Sequence, residues 1–285
     1  MINSITTKYI AMIRVFLVLG LTLSVFITKS QTYQLEKLWE ANRGLPVPES
    51  VLYDAGKKLL YVSLIDGPST ERDGKGGIAQ LNLDGSIKNA NWITGLNAPK
   101  GLALYRSLLH IADISSVVVA DVVTGNIIDE VEIKGSLFLN DVTVDDDGVV
   151  YVSDTRDNKI YQINNGNYSL YMDNVSNVNG LKYLNGFLYA LADRELWKID
   201  SNKKVQVIAK GFEQPGDGLE PVGNGDFLVT CWAGLIYYVK ANRTIEKLHD
   251  VQGSMNTADL GYNATERILY IPTFNNNSVI AYRLN

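Results

Sequence analysis

Short apolar runs, broken by clusters of Asp, Asn and Gly, recur along most of this chain. Residues 140–171, NDVTVDDDGVVYVSDTRDNKIYQINNGNYSLY, show the pattern most clearly. They read as four strands, DVTV, VVYVSD, KIYQI and YSLY, separated by DDDG, TRDN and NNGN. Asp, Asn and Gly favour such turns because their side chains bond nearby backbone or because they tolerate left-handed backbone angles. The middle strands alternate apolar and polar residues or run apolar, as half-buried and buried antiparallel strands do. A sheet of four such strands has two faces to cover and cannot cover them alone, so the pattern predicts further copies.

Five more copies are present. They begin ESVLYDAGKKLLYVSLID at Glu49, KGLALYRSLLHIADI at Lys100, NGLKYLNGFLYALAD at Asn179, DGLEPVGNGDFLVTCW at Asp217 and ADLGYNATERILYIPTF at Ala258. With Asn140 in its place, successive starts are separated by 51, 40, 39, 38 and 41 residues. A period of about 40 with four strands per unit predicts an all-β, six-bladed β-propeller of four-stranded antiparallel blades. The first unit is long because DGPSTERDGKGG, residues 66–77, is inserted as a polar loop. The sixth supplies three strands, while TYQLEKLWEA near the N-terminus reads as a lone strand without a local partner. Pairing the two closes the ring and removes its exposed sheet edges. One propeller domain over residues 31–285 is the expectation.

The segment before it has a different pattern. Lys8 and Arg14 precede the apolar run VFLVLGLTLSV, and Thr28-Lys29-Ser30 ends it with small residues at the two key positions. This predicts a secretory signal over residues 1–30, a periplasmic or secreted protein and no stable membrane anchor, since the run is short of the roughly 20 residues a span needs. Cys231 is the single cysteine, so no intramolecular disulfide forms despite an oxidising compartment. It sits in the apolar run LVTCWAGLIYYV and reads as buried and inert. A net charge of −5, from 26 basic and 31 acidic residues, with no basic patch, argues against nucleic acid as a partner.

Internal repeats separate scaffold from site. Asp113, Asp154 and Asp193 recur after the second strand of their units and read as turn-capping groups. The run Asp145, Asp146, Asp147 sits at a hairpin tip without the spacing of an EF-hand and reads as a solvated turn. The position that opens each innermost strand behaves otherwise: it holds Glu49, Lys100, Asn140, Asn179, Asp217 and Ala258, five polar residues of different kinds. In a propeller these positions converge at one mouth of the central channel. The next residue is Ser50, Gly101, Asp141, Gly180, Gly218 or Asp259, and three glycines in six predict crowded backbone there. Glu49, Asn179 and Asp217 bring two carboxylates and an amide from three blades. Such oxygen donors suit a hard divalent cation, Ca²⁺ first, with Mg²⁺, Mn²⁺ or Zn²⁺ as alternatives. A hydrogen-bonded polar plug on the axis is the other reading of the same residues. His110 and His249 belong to no motif and read as structural.

At these residues the chain resembles the family of gluconolactonase, regucalcin (senescence marker protein) and luciferin-regenerating enzyme, over residues 39–285. Glu49 in LPVPESVLYD, Asn179-Gly180 and Asp217-Gly218 match the family's three divalent-metal ligand positions, and Asn140-Asp141 matches a pair that contributes to its active site. The resemblance implies hydrolysis of a sugar lactone, with the cation polarising the ester carbonyl and activating water. Asp217 would serve as general base, Asn140 and Asp141 would lie against substrate, and Lys100 would lend positive charge.

Two departures matter. Phe138 stands where regucalcin-like members carry a substrate-binding Arg, and Ser-Val rather than Gly-Pro follows Glu49. Exchange of a cation for a phenyl ring predicts a pocket suited to something less polar than a polyhydroxy acid. The leading expectation is an exported metal-dependent hydrolase opening a lactone or related ester. A non-catalytic NHL-like propeller that binds a ligand or protein partner is the alternative. A strictosidine-synthase-like or isomerase activity is a third, for which no acid–base residue stands out.

Overall fold

The computed structural model describes residues 33–285, which form one compact unit. The secretory signal expected over residues 1–30 lies outside the described residues. Six antiparallel sheets of four strands each follow one another along the chain. The innermost strands of the first five are Pro48–Asp54, Pro99–Tyr105, Leu139–Val144, Val178–Leu184 and Leu219–Gly223, and Gly261–Asn263 opens the sixth. Each innermost strand touches the innermost strands of both neighbouring blades, which makes a closed ring around a central channel.

The sixth blade is completed from the other end of the chain. Its outermost strand is Leu35–Ala41, antiparallel to Val279–Leu284, in a register that runs from Leu35 opposite Leu284 to Ala41 opposite Val279. Trp39 on this strand donates its indole N–H to the Leu83 carbonyl at 2.9 Å, fixing the closure against blade 1.

The core is divided among the seams. Six apolar clusters each lie between two adjacent blades, such as Val62, Leu64 and Ala79 against Tyr270 and Ala281, or Tyr189 and Leu191 against Phe227 and Val229. This explains the sequence pattern. Middle strands are covered on both faces and run apolar, as in the fully buried Leu59–Leu64 and Leu235–Val239. Outer strands such as Ile127–Glu132 are largely exposed and lose the run. Cys231 is a free thiol buried in the seam between blades 4 and 5, and burial pushes its pKa up to about 12, so it is inert.

Candidate active site at the channel mouth

The entry of the innermost strands is held by the recurring aspartates. Asp113 accepts the backbone N–H groups of Asn97 and Ala98 at 2.9 and 2.7 Å, just ahead of Lys100. Asp154 does the same for Leu137 and Phe138 at 2.7 and 2.9 Å, just ahead of Asn140. Both therefore cap backbone. Asp193 departs from this pattern: it occupies the turn itself at φ 51° and accepts from the Asn177 side chain at 3.5 Å. The reason is register: Ala192, opposite Val178, holds the place that Asp113 and Asp154 take opposite Pro99 and Leu139, and Asp193 falls one residue later.

With entries fixed, the polar positions converge. Glu49 and Asp217 are 5% and 4% exposed, and Lys100, at 1%, is more deeply buried still. Lys100 is thus no solvated rim residue. Its ammonium donates to the Ala98 carbonyl at 2.8 Å and lies 4.5 Å from the centre of the Phe138 ring. Burial pulls its pKa down to about 8 against the pull of the Glu49 and Asp113 carboxylates. Asn140 donates its amide to Thr155 Oγ1 at 3.1 Å. Asn179 donates to one oxygen of Asp217.

The other oxygen of Asp217, Oδ2, is buried and bonds to nothing, and the same holds for Glu49 Oε2. Burial, then the Asp217 and Asp259 charges, drives the Glu49 pKa far above the carboxylate range. Asp217 is pushed up to about 8, by burial first and by Asp259 second. Two buried carboxyl groups, each with an oxygen that no donor answers, form an expensive arrangement for a scaffold to keep.

The crowding predicted from glycine is present. A Cβ on Gly101 would lie 2.2 Å from Asp141 Oδ1, and one on Gly218 would lie 2.6 Å from the Leu260 backbone nitrogen. Neighbouring inner strands approach too closely here for any side chain. Asp141 itself is placed otherwise than the sequence implied. Its Oδ1 accepts the Val142 N–H at 2.7 Å and its Oδ2 the Leu181 N–H of the next blade at 2.6 Å. It lines a cavity of about 290 Å³ further down the channel, with Asp259, Lys182 and Glu220, and ties blade 3 to blade 4. Each oxygen accepts one backbone N–H, from Val142 of its own strand and Leu181 of blade 4, which turns the carboxyl towards the seam and away from the mouth.

Among the described residues no three His, Cys, Asp or Glu side chains cluster as a cation site. A cation at the mouth would rest on the Glu49 and Asp217 carboxylates, with Asn179 as a neutral third donor. The fit is good in two respects: the donors are oxygens, and two of them are buried and unpartnered. Half a turn of the Asn179 amide presents its oxygen in place of the nitrogen that now donates to Asp217.

The mouth holds features that motif reading missed. Arg156, in the turn after the second strand of blade 3, stacks its guanidinium 4.5 Å from the centre of the Phe138 ring. A cation thus stands beside residue 138 even though residue 138 is not one. No sequence signal marks it, because TRDN reads as an ordinary polar turn. Val47, Ile65, Ala98, Ile114 and Phe274 pack into a seventh apolar cluster between the entries of blades 1 and 2 and the last turn of blade 6. The inserted loop, residues 66–77, folds towards blade 2, where Arg72 bonds Ser115 Oγ. The histidines lie elsewhere: His110 is on the second strand of blade 2, and His249 on the outermost strand of blade 5, tilted against Tyr282.

These features define the molecule as a closed six-bladed propeller with a charged, partly unsatisfied channel mouth. No protein-family model and no curated protein sequence matches the chain. Solved structures do. Virginiamycin B lyase from Staphylococcus aureus, in a catalytically inactive histidine-to-alanine variant with quinupristin, is 15% identical with a TM-score of 0.62, over 89% of this chain and 100% of that one. A gluconolactonase from Xanthomonas campestris is 13% identical with a TM-score of 0.63, over 90% and 96%. A chain of a nidogen–laminin complex is 16% identical with a TM-score of 0.62, over 73% and 86%. At such identities the likeness is one of fold, and the site has to carry the functional argument.

Proposed function

We propose that this protein is an exported, divalent-cation-dependent hydrolase of the gluconolactonase type, acting on a lactone or related ester. The observation that carries this reading is the pair of buried, unpartnered carboxylate oxygens, Glu49 Oε2 and Asp217 Oδ2. Glu49, Asn179 and Asp217 would hold the cation, Ca²⁺ in the first instance. When bound, it would supply Lewis acidity at the ester carbonyl. Burial and the Asp259 charge push the Asp217 pKa up to about 8 in the bare ring. With a cation held there, the Asp217 carboxylate would be kept ionised and able to accept a proton from the attacking water. Asn140 sits one blade from Asn179 with its amide anchored on Thr155, and it orients the substrate carbonyl or the incoming water. Lys100, buried and positive, opposes the negative charge that develops on the carbonyl oxygen.

The fold neighbours include a hydrolase and a lyase, and the histidines favour the first. The lyase neighbour is inactive when a histidine is replaced. Here neither His110 nor His249 approaches the channel, so histidine-dependent elimination has no base at this mouth.

One observation favours the alternative of a non-catalytic NHL-like propeller that binds a ligand or protein partner. Asn179 turns its N–H towards Asp217 and so partly satisfies it, as a polar plug would. Calorimetric titration of chelator-stripped protein with Ca²⁺, Mg²⁺, Mn²⁺ and Zn²⁺ separates the two. One-to-one binding lost in Asp217→Asn, followed by turnover of a lactone or aryl ester, is the expected result. Indifference to all four cations would remove the hydrolase reading.

A further inference from the structure

Phe138 and Arg156 reach the mouth on two segments that are built as one piece. Asp154 gathers the N–H groups of Leu137 and Phe138 and that of Asp157, the last at 3.2 Å. Thr155 donates its N–H to the Phe138 carbonyl at 3.1 Å and its hydroxyl to the Val178 carbonyl at 2.7 Å. The same hydroxyl receives the Asn140 amide. Residues on both sides of Arg156 are therefore held by hydrogen bonds, and its exposed guanidinium lies over the ring of a residue whose backbone N–H and carbonyl are both engaged. Arg156 is placed before any ligand arrives.

Its own donors are free. Among the described residues Arg156 makes no hydrogen bond to protein and no ion pair, although two acids flank it in sequence. Asp154 is engaged by backbone, and Asp157 by the Lys159 ammonium at 2.7 Å. A guanidinium stacked on an aromatic ring keeps its in-plane N–H fork open, the geometry that takes a carboxylate in two parallel bonds. Lys100 lies over the same ring and has only a carbonyl as a partner.

The charges then decide the class of ligand. With a divalent cation answering Glu49 and Asp217, Lys100 keeps only the backbone-bonded Asp113 as a counter-charge, and Arg156 makes no ion pair. Next to Phe138 in the chain, Leu137 is 56% exposed and adds apolar surface to an otherwise polar mouth. We infer that Arg156 and Phe138 form a carboxylate-recognition subsite, and that the substrate is an anionic ester or lactone with a flat or aliphatic body. This inference rests on the cation-dependent hydrolase reading for its charge balance.

The test pairs 4-acetoxybenzoate, which carries a carboxylate, with phenyl acetate, which does not, using Ca²⁺-loaded protein. The readout is the ratio of the two kcat/KM values. It should fall about tenfold or more in Arg156→Gln, the scale of a lost charge-assisted pair. Arg156→Lys, which keeps the charge without the fork, should recover part of it. In parallel, ligand-observed NMR follows benzoate and benzyl alcohol, with benzoate alone weakened in Arg156→Gln. Hydrolysis of both esters at a ratio indifferent to Arg156 overturns the subsite and leaves the hydrolase standing. Benzoate binding that depends on Arg156, with neither ester cleaved, upholds the subsite and removes the hydrolase. Benzoate binding unchanged by the substitution overturns the subsite.

Discussion

Glu49 and Asp217 at the channel mouth, and Asp141 and Asp259 below them, are four carboxylates on the innermost strands, yet the two levels are answered differently. Below, Asp141 takes two backbone N–H groups, Asp259 takes the Ser50 hydroxyl at 2.5 Å, and Glu220 takes the Lys182 ammonium at 2.7 Å. Above, Glu49 and Asp217 each keep a buried oxygen with no donor. The lower groups pin blades together across their seams. Of the upper groups only Asp217 takes a bond across a seam, from Asn179, and the Asp217 charge opposes ionisation of Glu49. Buried charge that a scaffold needs is satisfied by the scaffold, so the upper level is poised for something brought from outside.

The largest expected effect falls on that upper level. Glu49→Gln or Asp217→Asn should each weaken Ca²⁺ binding at least about a hundredfold, since a hard cation held by two carboxylates loses half its charge complement. Neither should unfold the protein. In chelator both should melt at or above the wild-type temperature, because a repulsive, unanswered carboxylate has been removed. A fall of several degrees would show that the upper carboxylates are structural after all, and the contrast would collapse.

The pH response should divide along the same line. Asp217 and Asp141 are raised from 3.8, to about 8 and about 7 respectively, burial being the first cause in each. A carboxyl whose folded pKa is raised binds more protons folded than unfolded between the two values. Its stabilising contribution is fully present below about pH 4 and is lost as pH rises through the folded pKa. Cation-free protein should therefore lose melting temperature from about pH 4 up to about pH 8. Glu49 and Asp259 are raised in the same direction by burial, so Asp217→Asn should lessen this loss without ending it, and saturating Ca²⁺ should lessen it too by holding residue 217 ionised. Melting curves across that range, with and without Ca²⁺, measure it directly.

How much of this was legible beforehand follows from what repeats. The blade count, the strands and the entry positions were legible because each is written six times, with apolar runs where both faces of a strand meet neighbours. Glu49, Asn179 and Asp217 stood out against the repeat as positions where the copies disagree. Arg156 did not, because its role comes from a turn folding back on Phe138 of the preceding connection, a contact that no periodicity encodes. Asp141 misled for a related reason. Its dipeptide with Asn140 looked like a pair with one purpose, while the alternation of a strand sends the two side chains to different surroundings.

On the lower level, Asp141→Ala should leave cation affinity unchanged and lower stability. It strips the Val142 and Leu181 N–H groups of their acceptor in a buried place, which costs about 1–3 kcal/mol, or several degrees in a chain of this size. A matching loss of Ca²⁺ binding would mean that the two levels act as one network.

The smallest effect should come from Lys182→Met. Lys182 and Glu220 are paired at 2.7 Å, but their side chains remain 28% and 16% exposed where the lower cavity meets solvent. Solvent screens such a pair, which limits its worth to about 1 kcal/mol or less. The methionine keeps most of the aliphatic stem that packs along the channel. Glu220 is left single, but burial already raises its pKa and it can take up a proton, so it should neither destabilise the fold appreciably nor recruit a cation. Thermal melting should shift by no more than a few degrees, and Ca²⁺ titration should still give one site. A second binding event in this variant would show that a lone carboxylate in the lower cavity, beside Asp141 and Asp259, suffices to attract a cation. The upper level would then owe its distinction to the absence of a lysine partner and not to its unpartnered oxygens.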